Sequence, residues 1–216
     1  MKDLRVVIPA YNEEKSRGDV IDQVRDACPE AEVVVVDDAS TDRTNQIALS
    51  KGVSVVINPS NRGKGGATKV GFKYISGRDM KFYAFIDSDN TYPATSIPEL
   101  YRLCNTEKVD MAIGSRFLCS NEGIPLIRKI GNKFFAKLLS FYAGRRTTDT
   151  STGLRVINDR ILEFVDLLPD GLDFDTRMTA IALFKRLNYD EVPINYLGRV
   201  GKSKLNIFKM ATDFSK

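Results

Sequence analysis

Three short stretches of this chain place carboxylates where one edge of a sheet could gather them. Asp87-Ser88-Asp89 follows the apolar run 82–86. In an extended chain alternate side chains share a face, so Asp87 and Asp89 would point the same way, with Ser88 turned aside. Two carboxylates so placed can hold a hard divalent cation that also binds a diphosphate. Asp37-Asp38-Ala39-Ser40 ends a second run, 32–37, and Pro9-Ala10-Tyr11-Asn12-Glu13 follows a third, 5–8. Aspartate and asparagine also make turns and caps at such points. Three acidic strand ends together exceed that need, because clustered carboxylates repel unless a cation or hydrogen-bond donors offset them.

Cations stand nearby in sequence. Asn61-Arg62-Gly63-Lys64-Gly65-Gly66-Ala67 reads as a glycine-rich basic loop entering a helix, a setting in which backbone N–H groups can approach phosphate. It is not a P-loop: Asn58 occupies the place of the first glycine and Gly65 that of the Ser or Thr. Gly114-Ser115-Arg116 follows another apolar run, and Arg199-Val200-Gly201-Lys202-Ser203-Lys204 forms a candidate anion clamp.

The elements needed to position these residues can be read from the pattern. Runs 5–8, 32–37, 53–57 and 82–86 are strand-like and alternate with helical stretches 19–27, 42–50 and 67–75. Further on, 111–114, 154–157 and 189–194 read as strands, and 127–142, 160–167 and 176–187 as helices. Continuous apolar strands alternating with helices predict an α/β fold, a mostly parallel sheet covered on both faces. Ligands of such sheets bind beyond the carboxyl ends of the strands, where the acidic stretches fall.

Composition narrows the chemistry. The 216 residues contain no histidine, which excludes His-based triads and imidazole relays. A metal would rest on oxygen ligands, favouring Mg²⁺ or Mn²⁺ over zinc. Cys28, Cys104 and Cys119 are widely spaced and read as reduced thiols in a cytoplasmic protein. A net charge of +4 gives no reason to expect a nucleic-acid partner. The charged N-terminus leads directly into a strand and no apolar run reaches spanning length, so neither a signal peptide nor a membrane span is expected within these residues.

In order along nearly the whole chain, Val7 to Glu13, Val35 to Thr44, Asn61 to Ala67, Asp87-Ser88-Asp89, Gly114-Ser115-Arg116, Ser151-Thr152-Gly153 and Gly201 to Leu205 resemble glycosyltransferase family 2, with its GT-A (Rossmann-like) fold. Within it the likeness is to the polyprenyl- or dolichyl-phosphate hexosyltransferases. It implies one catalytic domain over 1–216, with a nucleotide-sugar half at 1–115 and an acceptor half, including the basic clamp, at 116–216. Pro9, Ala10, Tyr11 and Glu13 would line the nucleoside pocket and Asp38 would meet the base. Lys64, Asp87, Ser88 and Asp89 would bind the donor, with Asp87 and Asp89 as metal ligands. Arg199, Ser203 and Lys204 would close over it. Arg116 and Arg128 would face the acceptor phosphate and, with Asp87 and Asp89, form the catalytic set. The pattern departs at Thr91, where many relatives carry Gln, and at Lys202, where many carry Glu.

The expectation is an inverting transferase that moves a hexose from GDP-mannose or a UDP-hexose to a polyprenyl phosphate, on the cytosolic face of a membrane. Membrane-spanning subunits are candidate partners. Residues 127–142, apolar and basic, suit a membrane surface. A rival reading has a soluble saccharide or small phosphorylated metabolite as acceptor, with Asp173 or Asp175 as base. Another is a non-catalytic protein that binds nucleotide sugars. A sugar-phosphate nucleotidyltransferase would carry its glycine-rich basic loop directly after the first strand, where this chain has Pro9 to Glu13.

Overall fold

The computed structural model describes residues 1–77, 81–119 and 123–197. Strands β1 (Leu4–Ala10), β2 (Glu32–Asp37), β3 (Ser54–Ile57), β4 (Phe82–Ile86), β5 (Met111–Ser115), β6 (Leu154–Asn158) and β7 (Tyr189–Pro193) form one sheet in the order β3-β2-β1-β4-β6-β5-β7. All neighbouring pairs are parallel except those made by β6, which runs antiparallel to both β4 and β5. The α/β expectation is met, and the reversed strand is an addition that the apolar pattern did not reveal.

Because the strands are apolar on both faces, each face buries its own core. Leu4, Val6 and Ile8 join Val33, Val35, Phe82, Ala84 and Ile86 on one side. Val7, Val34, Val36, Tyr83 and Phe85 pack on the other. The first core is closed by helices α1 (Arg17–Ala27), α2 (Thr44–Ser50) and α4 (Ile97–Thr106). The second is closed by α3 (Gly63–Ile75), the short α6 (Asp159–Leu162) and α7 (Phe174–Phe184). Helix α5 (Leu126–Ala143) lies outside both cores.

Several expectations are corrected. Helix α4 was not anticipated, although Pro98 near its start and Ile97, Leu100, Leu103 and Cys104 at helical spacing announce it. The helix expected over 160–167 is interrupted after Leu162 and ends in a 3₁₀ turn, Val165–Leu167. Pro169 then holds Leu168 extended.

The glycine-rich stretch is no loop: α3 begins at Gly63. Its glycines serve close packing, because a Cβ on Gly65 would lie 2.4 Å from the carbonyl oxygen of Pro169. Gly65→Ala should therefore lower stability by about 1–3 kcal/mol. Gly131→Ala in α5, where the added Cβ meets nothing within 4 Å, should raise it by up to ~1 kcal/mol. Urea unfolding of both variants checks the contrast.

Candidate active site

Since β2, β1 and β4 are adjacent and parallel, their carboxyl ends open on one edge. The first two loops there are stitched together. Asn12 N–H donates to Ser40 Oγ at 2.9 Å, Thr41 N–H donates to Asn12 Oδ1 at 2.8 Å, and Glu13 N–H donates to Thr44 Oγ1 at 2.9 Å. Ser16 Oγ donates to the Ser88 carbonyl at 2.9 Å and approaches Glu13 Oε2 at 3.3 Å, so the third loop is tied in as well. Pro9 and Ala10 are buried at the end of β1, whereas Tyr11 is exposed at the rim.

At the end of β4 the chain does not stay extended. It turns through Ser88 and Asp89, and Asn90 adopts φ 59°. Asp87 and Asp89 consequently meet different partners, contrary to the period-two expectation. Thr91 Oγ1 donates to Asp89 Oδ1 at 2.5 Å. Asp87 Oδ1 lies 2.8 Å from Lys64 Nζ, which also lies 2.5 Å from Asp175 Oδ2. Burial pushes the Asp87 carboxyl above the usual carboxylate range; Lys64 opposes this, while Asp89 and Asp175 add to it. Burial by itself would pull the Lys64 ammonium down, but Asp175 and Asp87 outweigh it and hold it well above its ordinary value.

Gly153 explains part of this geometry. Its carbonyl accepts from Asp87 N–H at 3.1 Å, and a Cβ there would stand 2.1 Å from Asp87 Oδ2. The Asp87 carboxylate thus occupies the space that any other side chain would need. β6 brings Gly153 to this edge only because it runs antiparallel and begins there.

Asp38, expected to meet the base, stands at the end of β2 against the start of α3. It is 2% exposed, and its carboxylate accepts from Asn58 Nδ2 at 2.8 Å, Arg62 N–H at 2.9 Å and Gly63 N–H at 2.8 Å. It caps the start of α3, satisfying N–H groups that a helix leaves unpaired.

Arg116 is likewise committed. Its Nε and Nη2 each donate to the Asp149 carboxylate at 2.7 Å, and Nη2 also donates to Ser151 Oγ at 3.0 Å. The guanidinium lies within 6 Å of the Tyr92, Phe117 and Tyr196 ring centres. Asp149 is fully buried. The sequence reading missed it, although it sits in a hydroxyl-rich run beside Ser151-Thr152-Gly153 that signals a hydrogen-bonded turn. Arg128 is half-buried in the first turn of α5. Arg199, Ser203 and Lys204 lie outside the described residues.

Of the two acids in the soluble-acceptor reading, Asp175 joins the cluster at Lys64, whereas Asp173 is paired with Arg177 at 2.9 Å. Among the described residues no group of three or more acidic or thiol side chains surrounds a metal position. Asp89, half-buried at the turn beside Asp87, suits a hard cation held by one or two carboxylates and completed by substrate phosphates.

A mostly parallel sheet with acids and cations gathered at the carboxyl ends of its strands is an α/β architecture whose charged groups stand where ligands of such sheets bind. Residues 5–165 match the model of Glycosyl transferase family 2, and the chain belongs to that family. It is similar to the low-salt glycan biosynthesis hexosyltransferase Agl6 of Haloferax volcanii, 33% identical over 211 residues, covering 95% of this chain and half of that protein. It is also similar to a dolichyl-phosphate hexose transferase of the same organism, 34% identical over 209 residues, covering 95% of this chain and 88% of that one. Among solved structures, glucosyl-3-phosphoglycerate synthase from Mycobacterium tuberculosis, in complex with Mn²⁺, UDP-glucose and phosphoglyceric acid, superposes with a TM-score of 0.73. That match is at 22% identity and covers 97% of this chain and 76% of that chain. The likeness establishes the expected GT-A fold.

Two outcomes follow from this geometry. Lys64→Met strands two carboxylates and should cost about 3–5 kcal/mol of stability. Asp175→Asn in the same chain should recover part of that loss in a double-mutant cycle of urea midpoints. Asp38→Ala should cost about 2–4 kcal/mol by uncapping α3. Calorimetry with UDP and GDP on the folded variant then reads any separate contribution to nucleotide affinity.

Proposed function

We propose that this chain transfers a hexose, with inversion, from a nucleoside diphosphate sugar to a polyprenyl phosphate at a membrane surface. Residues 1–115 would supply the donor side and the remainder the acceptor side. The observation that carries the acceptor is that both candidate bases are ion-paired. Asp175 is held by Lys64 and Asp173 by Arg177. A sugar hydroxyl needs a base within reach of its proton. A phosphomonoester does not, since its second pKa is about 6 and it is largely dianionic at neutral pH. The likeness to a dolichyl-phosphate hexose transferase supports the same choice.

In this reading Tyr11 and Glu13 border the nucleoside, and Asp38 shapes the pocket through the start of α3. Asp89 and Asp87 face the diphosphate. Lys64 holds Asp87 in place, with Asp175 anchoring Lys64 from behind. The Asp149-bound guanidinium of Arg116 and the side chain of Arg128 orient the acceptor phosphate for in-line attack, and Arg199, Ser203 and Lys204 close over the donor. A divalent cation, Mg²⁺ or Mn²⁺, held at Asp89 with Asp87 close by would stabilise the negative charge of the departing diphosphate. A Mn²⁺–UDP-glucose complex of the structural neighbour supports that choice of cation.

The test is a panel of nucleotide sugars with Mg²⁺ or Mn²⁺, offered a short polyprenyl phosphate, free sugars or 3-phosphoglycerate and read by product mass. Product on the polyprenyl phosphate supports the reading. Product only on a soluble acceptor would replace it with the rival. Asp89→Ala should lower kcat/KM roughly 10²-fold or more without unfolding the chain. Full activity of that variant, together with full activity in EDTA, would remove the metal role.

A further inference from the structure

Helix α5 is packed inside out. Its buried residues are Asn132 and Ala136. Asn132 Nδ2 donates to the Thr148 carbonyl at 3.0 Å and its Oδ1 accepts from Thr150 N–H at 3.1 Å, so the inner face is fastened by polar contacts. Phe135 and Leu139 are half-buried, while most of the large apolar side chains face outward: Ile127 is 62% exposed, Ile130 57%, Phe134 61% and Phe141 80%, with Leu138 and Tyr142 also exposed. At 3.6 residues per turn these six span an arc of about 120° on one side of the helix. An apolar stripe of this size on a helix ordinarily faces a core. Here it faces away from both cores and marks an interaction surface.

The surrounding charge selects the occupant. From residue 123 to 148 the chain carries Arg128, Lys129, Lys133, Lys137, Arg145 and Arg146 and no acid. Lys133 and Lys137 border one side of the apolar arc on the helix, and both are exposed. Together with Arg146 they line a cavity of about 520 Å³ between α5 and the Thr147–Thr148 segment. A second copy of this chain docking through the same face would bring the same cations against these. Residues 198–216 add five cations and one acid, so their charge is not complementary either. An apolar layer topped with negative charge satisfies both features at once. We infer that α5 lies in the interface of a bilayer rich in anionic lipids, with Phe134 and Phe141 among the acyl chains and Lys133, Lys137 and Arg146 taking headgroup phosphates. Lysine stems lie along the apolar surface while their ammonium groups stay at headgroup level.

The inference deepens the lipid-acceptor reading by naming the surface that meets the membrane, and its geometry does not depend on the acceptor. The full chain would be floated with vesicles of phosphatidylcholine alone or with 30% phosphatidylglycerol, no polyprenyl phosphate being present. Binding to the anionic vesicles should exceed binding to neutral ones and fall with salt. Lys133→Ala and Lys137→Ala should each weaken it by about fivefold. Phe134→Asp/Phe141→Asp should abolish it while leaving circular dichroism and UDP or GDP affinity unchanged, since both side chains are exposed. No binding by the wild type, or undiminished binding by the double Asp variant, would overturn the inference. So would a wild-type dimer in sedimentation that the double Asp variant dissolves. Vesicle binding without transfer to detergent-dispersed polyprenyl phosphate would leave the docking standing and overturn the acceptor reading alone.

Discussion

An ammonium group held between two carboxylates fixes the geometry on which the rest of this edge depends. Removing a charge from water costs several kcal/mol, and the cost is offset only when opposite charges meet it closely. Lys64 is 17% exposed and meets Asp87 and Asp175 within 3 Å. The three come from the first turn of α3, the end of β4 and the first turn of α7. The contact therefore joins elements far apart in sequence and settles where Asp87 can point. Asp87 in turn fills the space beside Gly153 and sets how closely β6 approaches the edge.

A second buried cation organises the other half by different means, with neutral oxygens in place of carboxylates. Arg155 in β6 is fully buried and donates to the carbonyls of Thr150 and Thr152 at 2.9 and 3.1 Å and to Thr179 Oγ1 at 2.8 Å. It pins the turn that carries Asp149 on one side and Gly153 on the other. Asp149 then holds Arg116. The cations of this edge thus differ in kind. Lys64 and Arg155 are embedded and organise the protein around them, Arg116 is held at the edge by Asp149, and Lys133, Lys137 and Arg146 stand in the open where an anion can reach them. Counting basic residues in sequence cannot separate these groups, because burial is a property of packing.

The glycines divide in a similar way. In the stretch from Asn61 to Ala67 they suggest a pliable phosphate loop, but the local chain is helical from Gly63. Asp38 supplies acceptors to the first N–H groups, and Gly65 lets the helix press on the Pro169 carbonyl. The absence of a side chain permits either flexibility or contact, and only the neighbouring backbone shows which is used.

Much was legible in the sequence because the information is local. Valine-rich strands with apolar residues on both faces require a sheet covered on both sides, and alternation with helices requires parallel neighbours. That placed the acidic loops on one edge, and the order of motifs pointed to the family that residues 5–165 match. What the sequence left open depends on groups remote along the chain. The partners of Asp87 and Asp38 lie 20 or more residues away, as do Asn58 and Arg62 for Asp38 and Lys64 for Asp87. Asp149 was invisible as a site residue because its role depends on Arg116, 33 positions earlier. The antiparallel direction of β6 and the outward face of α5 were also decided in three dimensions. A periodic apolar pattern states that one face of a helix is apolar, but only packing against the rest of the protein decides whether that face turns inward.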